Sequence, residues 1–304
     1  MTESSMYMKA DYKRVLIIIM LIVLNAEPLL LAQSFALTSN MDFGSERMLY
    51  MDNSAYPMER LDAERMRVVY GCELGFVDRS REGIRMNCVL QIGTRHTKYM
   101  SEQRYLVDSL FYTGKSSLMA RTTIYNQKAN FLLAEDCYYK DLNAGMMVFT
   151  GRLAADDFLY EEKIPVLNWD LKANTKEICG HHCRMAETEF RGRKYTAWYA
   201  EDIPTPAGPW KFQGLPGLIL EVVDSDRVVR MSAQEIWAGN GTIVKTEYPY
   251  VKVKRLQYQA LRRQMLDDPV IFSMNHSSRS KWEITPPARH VPAHLPLLNF
   301  LEKD

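Results

Sequence analysis

The sequence has little of several features that mark common protein classes. Five cysteines in 304 residues are too few for a scaffold built from disulfides. The 38 Lys and Arg against 37 Asp and Glu give a net charge of +1, so the basic excess typical of nucleic-acid-binding proteins is missing. Apolar residues make up 47%, which is typical of a folded globular chain and too apolar for a disordered one. We therefore expect a folded protein with no nucleic-acid partner.

The familiar catalytic motifs are also missing. The sequence contains no Gly-x-Ser-x-Gly, no His-Glu-x-x-His and no glycine-rich strand-to-helix turn. Two acidic pairs, Asp156-Asp157 and Glu161-Glu162, are suited to holding a cation or to acid–base chemistry, and a solvated surface is the alternative interpretation. An enzyme is not excluded, but the sequence favours a non-catalytic protein and predicts no cofactor.

Only one long apolar run is present, at residues 15–24. Three basic residues precede it, and the small residue Ala32 follows a second apolar stretch. A basic start, an apolar core of about ten residues and a small residue near the cut are typical of a secretory signal peptide. Glu27-Pro28 interrupts the run before it reaches the roughly twenty residues that a membrane span needs. We predict a signal peptide over 1–32, with an uncleaved N-terminal anchor as the alternative.

The rest of the chain is predicted to be exported to the periplasm or cell envelope and to be mainly β. Residues 33–65 are polar without a sustained period, which predicts an extended arm. From residue 66, short runs of alternating apolar and polar residues recur about every ten residues, a spacing typical of antiparallel hairpins. We predict strands at 66–77, 84–92, 95–100, 121–126, 130–135, 145–150, 166–171, 175–179, 183–190, 193–200, 217–223, 227–236 and 243–247.

Helices are expected to be few. Apolar residues at helical spacing predict a helix over 254–266, followed by Pro269, and a shorter one over 105–111. A tail rich in proline and basic residues follows over 271–304. The predicted fold is thus a β-rich α+β domain over 66–270, with an open antiparallel sheet and a C-terminal helix.

The most distinctive stretch runs from Trp198 to Leu220. Three prolines after Ile203 impose an extended or turning path, and Gly214 and Gly217 permit tight turns. One interpretation is a ligand-binding rim of exposed aromatic side chains, and the other is a rigid loop that plugs the core of the sheet. We expect Leu215 and Leu218 to point into the core and Trp210 to stay partly exposed.

Residues Gly214 to Ile219 spell Gly-Leu-Pro-Gly-Leu-Ile, the signature of the GLPGLI family (Porph_ging) of exported proteins from Gram-negative bacteria. Flanking residues at 190–193, 196–198 and 208–212 are similar to that family, and the resemblance extends over about 66–236. It implies an exported protein with a β-rich layout that looks like the open half-barrel of periplasmic lipoprotein carriers. The family has no established activity. Cys179 departs from the pattern, since glycine is expected there.

These observations lead to a binding hypothesis. A β-rich exported chain with an apolar, proline-shaped loop and no catalytic motif favours an envelope binding or carrier protein. The candidate ligand is an apolar small molecule, lipid or peptide, exchanged with an outer-membrane protein as the candidate partner. The candidate ligand-binding residues are Trp198, Trp210, Phe212 and Leu215.

Residues 179–183, Cys-Gly-His-His-Cys, carry the alternative hypothesis of a metal-handling protein or enzyme. Cys179, His181, His182 and Cys183 are soft and borderline metal ligands. If the middle three residues formed a hairpin loop, however, Cys179 and Cys183 would face each other at disulfide distance. Both interpretations remain open from the sequence.

The remaining cysteines allow a second pairing. A hairpin centred on Ser80 would place Cys72 opposite Cys88, since each lies eight residues away. A cross-strand disulfide is then expected in an oxidising compartment. Cys137 is left over as an odd thiol, either buried or reactive.

Overall fold

The computed structural model describes residues 56–75, 83–114, 135–154, 156–267 and Phe272. The predicted signal peptide, most of the predicted arm, the strand candidate 121–126, nearly all of 130–135 and the tail after Phe272 lie outside these residues. The described elements are β1 (Met58–Ala63), β2 (Met66–Leu74), β3 (Ile84–Ile92), β4 (His96–Ser101), α1 (Glu102–Tyr112), β5 (Cys137–Asp141), β6 (Met146–Leu153), β7 (Asp156–Lys163), β8 (Asp170–Ile178), β9 (His181–Phe190), β10 (Arg193–Ala200), β11 (Leu218–Asp224), β12 (Val229–Ala238), β13 (Thr242–Thr246), β14 (Val251–Lys252) and α2 (Arg255–Asp267).

Twelve of the strands form one sheet in the order β14-β7-β6-β5-β4-β3-β2-β12-β11-β10-β9-β8. Every pairing in it is antiparallel except the short parallel contact of β14 with β7. The two remaining strands, β1 and β13, form a separate antiparallel ribbon. The prediction of a mainly β fold with an open antiparallel sheet and a C-terminal helix is confirmed.

Tight turns connect the neighbouring strands, as the short polar spacers predict. Arg191-Gly192 joins β9 to β10 with φ values of 48° and 74°, and Phe190 pairs with Arg193 across the turn. Positive φ at both positions is the type I′ geometry, whose twist matches that of the flanking strands. Glycine at the second position accommodates this geometry without strain.

The sheet is strongly curved. Glu162 on β7, next to one edge strand, accepts a hydrogen bond from the Arg191 side chain at 2.9 Å. Arg191 lies in the turn between β9 and β10, at the opposite end of the strand order. A flat sheet of twelve strands spaced about 4.8 Å apart would keep these residues far apart, so the sheet must wrap around to bring them together.

The inner face of this curved sheet, defined here by Tyr70, Tyr138, Phe149 and Tyr195, carries the main apolar core. The residues 201–217 between β10 and β11, called here the 201–217 loop, pack against it with α2. Tyr258 and Leu261 of α2 are 2% exposed. Phe272, within the predicted tail, is also buried in this core. Interior packing therefore involves segments from both the middle and the end of the chain.

The outer face carries a second, smaller cluster of Met100, Cys137 and Tyr139. Helix α1 covers it, beginning at Ser101, whose hydroxyl accepts a hydrogen bond from the Arg104 amide at 3.0 Å. Such N-capping satisfies a backbone donor that the first helical turn leaves unpaired. The short helix predicted over 105–111 is confirmed, with α1 extending past it at both ends.

Four strands were not predicted from the sequence: β1, β5, β7 and β14. Strand β1 lies inside the predicted arm, and β7 contains both acidic pairs. The alternation of β7 is masked because Asp156 and Asp157 are buried although they are charged. The candidates 166–171 and 175–179 correspond to the single strand β8, which carries an irregularity between Leu171 and Thr175.

Neither described helix is long and apolar enough to span a lipid bilayer.

Candidate functional site

The 201–217 loop is held in a fixed path by backbone hydrogen bonds. The Gly214 amide donates to the Pro206 carbonyl at 2.9 Å, and the Ile219 amide donates to the Ala207 carbonyl at 3.0 Å. The indole Nε1 of Trp169, in the segment before β8, donates to the Gln213 carbonyl at 2.9 Å. These bonds fold the loop back over the inner face of the sheet.

The loop fills the interior with its own side chains. Leu215 and Leu218 are 1% and 0% exposed, which confirms that they point into the core. Phe212 is equally buried and stacks edge-on against Tyr195 with ring centroids 4.8 Å apart. The loop thus occupies the surface that the binding hypothesis assigned to a ligand.

The prediction that Trp210 stays partly exposed is wrong. Trp210 is only 1% exposed and packs between Tyr138, Phe190 and Phe212, with ring centroids 5.2–6.4 Å away. Its backbone is left-handed, with φ of 52°, so the loop turns the indole toward the sheet. A local turn thereby buries the side chain that the sequence analysis expected at the rim of the sheet.

Trp198 lies apart from the other three candidate residues. It is half-buried, and its neighbours Ala197 and Tyr199 belong to the inner core. On the outer face, the Lys176 ammonium lies 4.4 Å from the centre of the Trp198 ring, a cation–π contact. The structure therefore groups Trp210, Phe212 and Leu215 and separates Trp198 from them.

Two buried lysines lie close together where the loop packs on the sheet, Lys211 in the loop and Lys140 on β5. Lys211, 1% exposed, forms an ion pair with Glu162 at 2.5 Å. Lys140 on β5 is 2% exposed, and its Nζ donates to the Phe212 carbonyl at 3.3 Å. Burial, together with the nearby Lys211 cation, lowers the pKa of Lys140 to about 7. Nothing in the sequence singles out Lys140, because β5 was not predicted as a strand.

Trp210 carries two further energetic costs. Its indole Nε1 is buried without a hydrogen-bond partner, and an unsatisfied buried donor costs roughly 1–3 kcal/mol. Its left-handed φ of 52° is a genuine outlier for a bulky residue and costs on the order of 1–2 kcal/mol. The path of the loop is therefore energetically costly at Trp210.

The Cys179–Cys183 segment does not form the arrangement that either sequence interpretation required. Cys179 and Gly180, with φ of 51° and 78°, make a two-residue type I′ turn, and Ile178 pairs with His181. The predicted three-residue loop is wrong because Gly180 takes the second turn position. Cys183 consequently pairs with Lys176 across the two strands. Cys179 and Cys183 are therefore not opposite each other.

The four candidate metal ligands also point to different partners. His181 Nδ1 lies 2.6 Å from Asp202, whereas His182 Nδ1 lies 3.0 Å from Glu177. Adjacent strand residues face opposite sides, so the two imidazoles diverge. Burial raises the pKa of Cys183 to about 11, which disfavours the thiolate that binds metals. Across the described ranges, no group of three or more such side chains is placed to hold a metal ion.

Cys72 and Cys88 lie on adjacent strands, as predicted, but not opposite each other. Cys72 pairs with Met86, and Cys88 pairs with Tyr70, so the hairpin is centred one residue before Ser80. All five cysteines are free thiols in the structure, and neither expected disulfide is formed. A hydrogen bond with Cys72, and burial, raise the pKa of Cys88. The odd thiol of Cys137 is buried.

The acidic pairs on β7 have structural partners. Asp157 accepts two hydrogen bonds from the Arg152 guanidinium, at 2.9 and 3.1 Å. Asp156 and Asp157 are buried, and Glu162 binds Lys211 and Arg191, so the solvated-surface interpretation holds only for Glu161. Glu162 thus anchors the 201–217 loop.

An open depression of about 440 Å³ lies on the outer face, where β2, β3 and β12 meet. It forms over Gly71, and the Gln234 side chain covers this glycine so closely that an added Cβ would lie 2.3 Å from its Nε2. The charged side chains around it pair with one another, as Arg85 does with Glu73 at 3.5 Å. The depression is polar, in contrast to the aromatic interior.

Comparison with known proteins gives one family match and several distant structural ones. Residues 187–221 match the model of a family described as a protein of unknown function, Porph_ging, which confirms the resemblance over that stretch. No curated protein matches the sequence.

Solved structures similar to the chain include PNGF-II in two crystal forms, both at 13% identity. The matches cover 65% and 67% of this chain and 32% and 34% of PNGF-II, with TM-scores of 0.44 and 0.45. The LolA superfamily protein NE2245 from Nitrosomonas europaea matches at 7% identity, over 64% of this chain and 92% of that one, with a TM-score of 0.24. The chain therefore spans about a third of PNGF-II.

Proposed function

We propose that the protein is an exported binding protein of the cell envelope that carries an apolar ligand on the inner face of its sheet. The ligand would take the place that Trp210, Phe212 and Leu215 occupy when the 201–217 loop is closed. One observation carries this proposal: Trp210, in the loop that covers the inner face, combines a left-handed backbone with a buried indole N–H that has no partner.

Three costs meet where the loop packs on the sheet. Trp210 has a left-handed backbone and an unpartnered indole N–H, and Lys140 is buried against a carbonyl. Backbone strain that the surrounding structure holds in place is typical of segments that switch or bind. The costs lower the free energy needed to displace the loop.

The size of the ligand follows from the energy balance. Exposing Trp210, Phe212 and Leu215 would cost about 5–9 kcal/mol, at roughly 1.5–3 kcal/mol for each large side chain. Each buried methylene of a ligand returns about 0.8 kcal/mol. An aliphatic chain of at least about six to eleven carbons is therefore needed to replace the loop.

Export is proposed from the N-terminal pattern of basic residues, an apolar run at 15–24 and Ala32. The mass of the protein purified from its native cells tests it. A mature chain that begins near residue 33 is expected, and an intact chain beginning at Met1 would contradict export.

Binding is tested with radiolabelled 1-hexadecanol in equilibrium dialysis against the exported chain. We expect saturable binding, and tighter binding by Trp169→Phe, since this variant loses the hydrogen bond to Gln213 that holds the loop. A lost hydrogen bond of about 1 kcal/mol would strengthen apparent affinity about fivefold, because the open state becomes more populated.

Trp237→Phe is the matched control. Trp237 is 53% exposed, and its Nε1 donates to Glu235 at 3.0 Å, away from the loop. This variant is expected to bind hexadecanol as the wild type does. Absence of hexadecanol binding by both the wild type and Trp169→Phe would reject the proposed function.

A further inference from the structure

Lys140 differs from every other fully buried cation among the described residues. Six such cations are buried, and five of them have a carboxylate partner within 3 Å. The five pairs are Lys98 with Asp108 at 2.6 Å, Arg104 with Asp108 at 2.9 Å, Arg193 with Asp224 at 2.8 Å, Lys211 with Glu162 at 2.5 Å and Arg262 with Asp136 at 2.9 Å. The Lys140 ammonium has only the Phe212 carbonyl, at 3.3 Å.

Among the described residues, no carboxylate forms an ion pair with Lys140. Its strand neighbours on the same face are Thr97 on β4 and Met147 on β6, both buried. The charged group that acts on it is another cation, Lys211, whose own partner is Glu162. A buried charge without an opposite charge is unfavourable, and proteins normally pair it or replace it with an apolar side chain. Its presence here calls for an anion that the described residues do not provide.

The single acceptor of Lys140 belongs to the 201–217 loop. Displacing the loop would carry the Phe212 carbonyl away and leave the ammonium facing the vacated interior. A ligand entering that space would bury its apolar chain against Tyr138 and its neighbours, while a negative head group would meet Lys140. Charge-assisted hydrogen bonds of this kind are stronger than those between neutral groups.

We infer that the ligand is an anionic amphiphile, an aliphatic chain ending in a carboxylate or phosphate, and that Lys140 binds its head group. This inference rests on the proposed function. The loop closes the interior of the free protein, and the Phe212 carbonyl takes the position of the head group in that state.

The test compares three ligands with the same sixteen-carbon chain: hexadecanoate, hexadecyl phosphate and 1-hexadecanol. Each is measured below its micellar concentration by equilibrium dialysis against the wild type, Lys140→Met and the control Lys172→Met. Lys172 lies in the exposed strand β8. At pH 6 we expect the wild type to bind at least one anionic ligand about tenfold or more tightly than hexadecanol, with the preferred head group identifying carboxylate or phosphate.

Lys140→Met should lose this preference and retain hexadecanol binding, while Lys172→Met should keep the preference. Circular dichroism checks that each variant is folded, and Lys140→Gln provides a second neutral variant. If no ligand binds, the proposed function fails. If hexadecanol binds as well as the anionic ligands, or if the preference survives in Lys140→Met and Lys140→Gln, the proposed function stands and the role of Lys140 is rejected.

Discussion

Two buried lysines on neighbouring strands, Lys98 on β4 and Lys140 on β5, lie on opposite faces of the same sheet. Helix α1 covers Lys98 and brings Asp108 to 2.6 Å from its ammonium. The 201–217 loop covers Lys140 and brings only the carbonyl of Phe212, at 3.3 Å. Both lysines are almost completely inaccessible, at 0% and 2% exposure. The two lysines are equally buried, and they differ in the partner that the covering element provides, a carboxylate for Lys98 and a carbonyl for Lys140.

Under the proposed function, this difference separates a permanent cover from one that a ligand displaces. Removing α1 would leave Lys98 without the carboxylate of Asp108, so a buried ion pair ties the helix to the outer face. Removing the 201–217 loop would take from Lys140 only a neutral acceptor, although it would also separate Lys211 from Glu162. A ligand with a negative group can replace that acceptor, whereas little can replace Asp108.

Asp108→Asn should have the largest effect, because it puts Lys98 in the situation of Lys140. The variant leaves two buried cations, Lys98 and Arg104, without their shared carboxylate, although Arg104 keeps Glu135. Breaking a buried ion pair by removing one partner typically costs about 3–5 kcal/mol. Urea unfolding measures the loss. Asp170→Asn, which removes an exposed pair with Lys172, is the control and should change the free energy of unfolding by less than about 1 kcal/mol.

Trp210→Ala should lower the free energy of unfolding by about 3 kcal/mol, at the low end of the range for buried aromatic truncations. The low end is expected because the indole N–H has no partner in the folded state. Trp237→Ala, at an exposed position, is the control and should have little effect. An unchanged melting temperature in Trp210→Ala would contradict the burial of this side chain and favour the partly exposed position that the sequence predicted.

Much of the fold could be predicted because hairpin periodicity survives in the sequence. Strands β3 and β10 were predicted with their observed bounds, since their alternation is clear and turns flank them. Strand β5 was missed because Cys137 to Lys140 are all buried, on both faces, so no alternation remains. Strand β7 was missed because Asp156 and Asp157 are charged but buried, Asp157 through an ion pair with Arg152.

The site was harder to predict than the fold. The hexapeptide at 214–219 correctly located the loop, and the burial of Leu215 and Leu218 follows from their apolar character. The burial of Trp210 depends on a single left-handed backbone position, which the sequence does not reveal for a tryptophan. Lys140 becomes notable only when the ring of partners around it is known, because its lack of a carboxylate depends on which residues the sheet brings together.

Lys140→Met should increase the free energy of unfolding by about 2 kcal/mol at pH 7 or below, the opposite sign to Asp108→Asn. The pKa of Lys140 is lowered from 10.5 to about 7 by burial and by Lys211. Only well above pH 10.5, the pKa of lysine in the unfolded chain, are both states neutral at this residue, and there no penalty remains. As the pH falls toward 7 the unfolded chain binds the proton first, and the folded state loses stability relative to it.

The wild type should therefore become more stable between pH 7 and 10 through this residue, and the rise should be smaller in Lys140→Met. The full pKa shift corresponds to at most about 5 kcal/mol, which the lost hydrogen bond to Phe212 partly offsets. Urea unfolding at pH 6, 8 and 10 measures both curves. Lys172→Met controls for the loss of one exposed positive charge. A wild-type curve that runs parallel to that of Lys140→Met would mean that the buried ammonium carries no penalty.

Met147→Glu makes the reverse exchange and gives Lys140 the kind of partner that Lys98 has. Met147 is fully buried, pairs directly with Lys140 across β5 and β6, and has a side chain close to glutamate in length. Met147→Gln is the matched control, because it introduces a polar group of the same shape without the charge. Desolvation of the carboxylate offsets most of the attraction, so at pH 7 the free energy of unfolding of the glutamate variant should exceed that of the glutamine variant by only about 1 kcal/mol.

The more specific result is the pH dependence of stability. Pairing raises the pKa of Lys140 toward its value in the unfolded chain, so the gain in stability between pH 7 and 10 should be smaller in Met147→Glu than in Met147→Gln. Equal slopes in the two variants would show that a carboxylate opposite Lys140 does not reach its ammonium, and the contrast with Lys98 would then have a cause other than the missing partner.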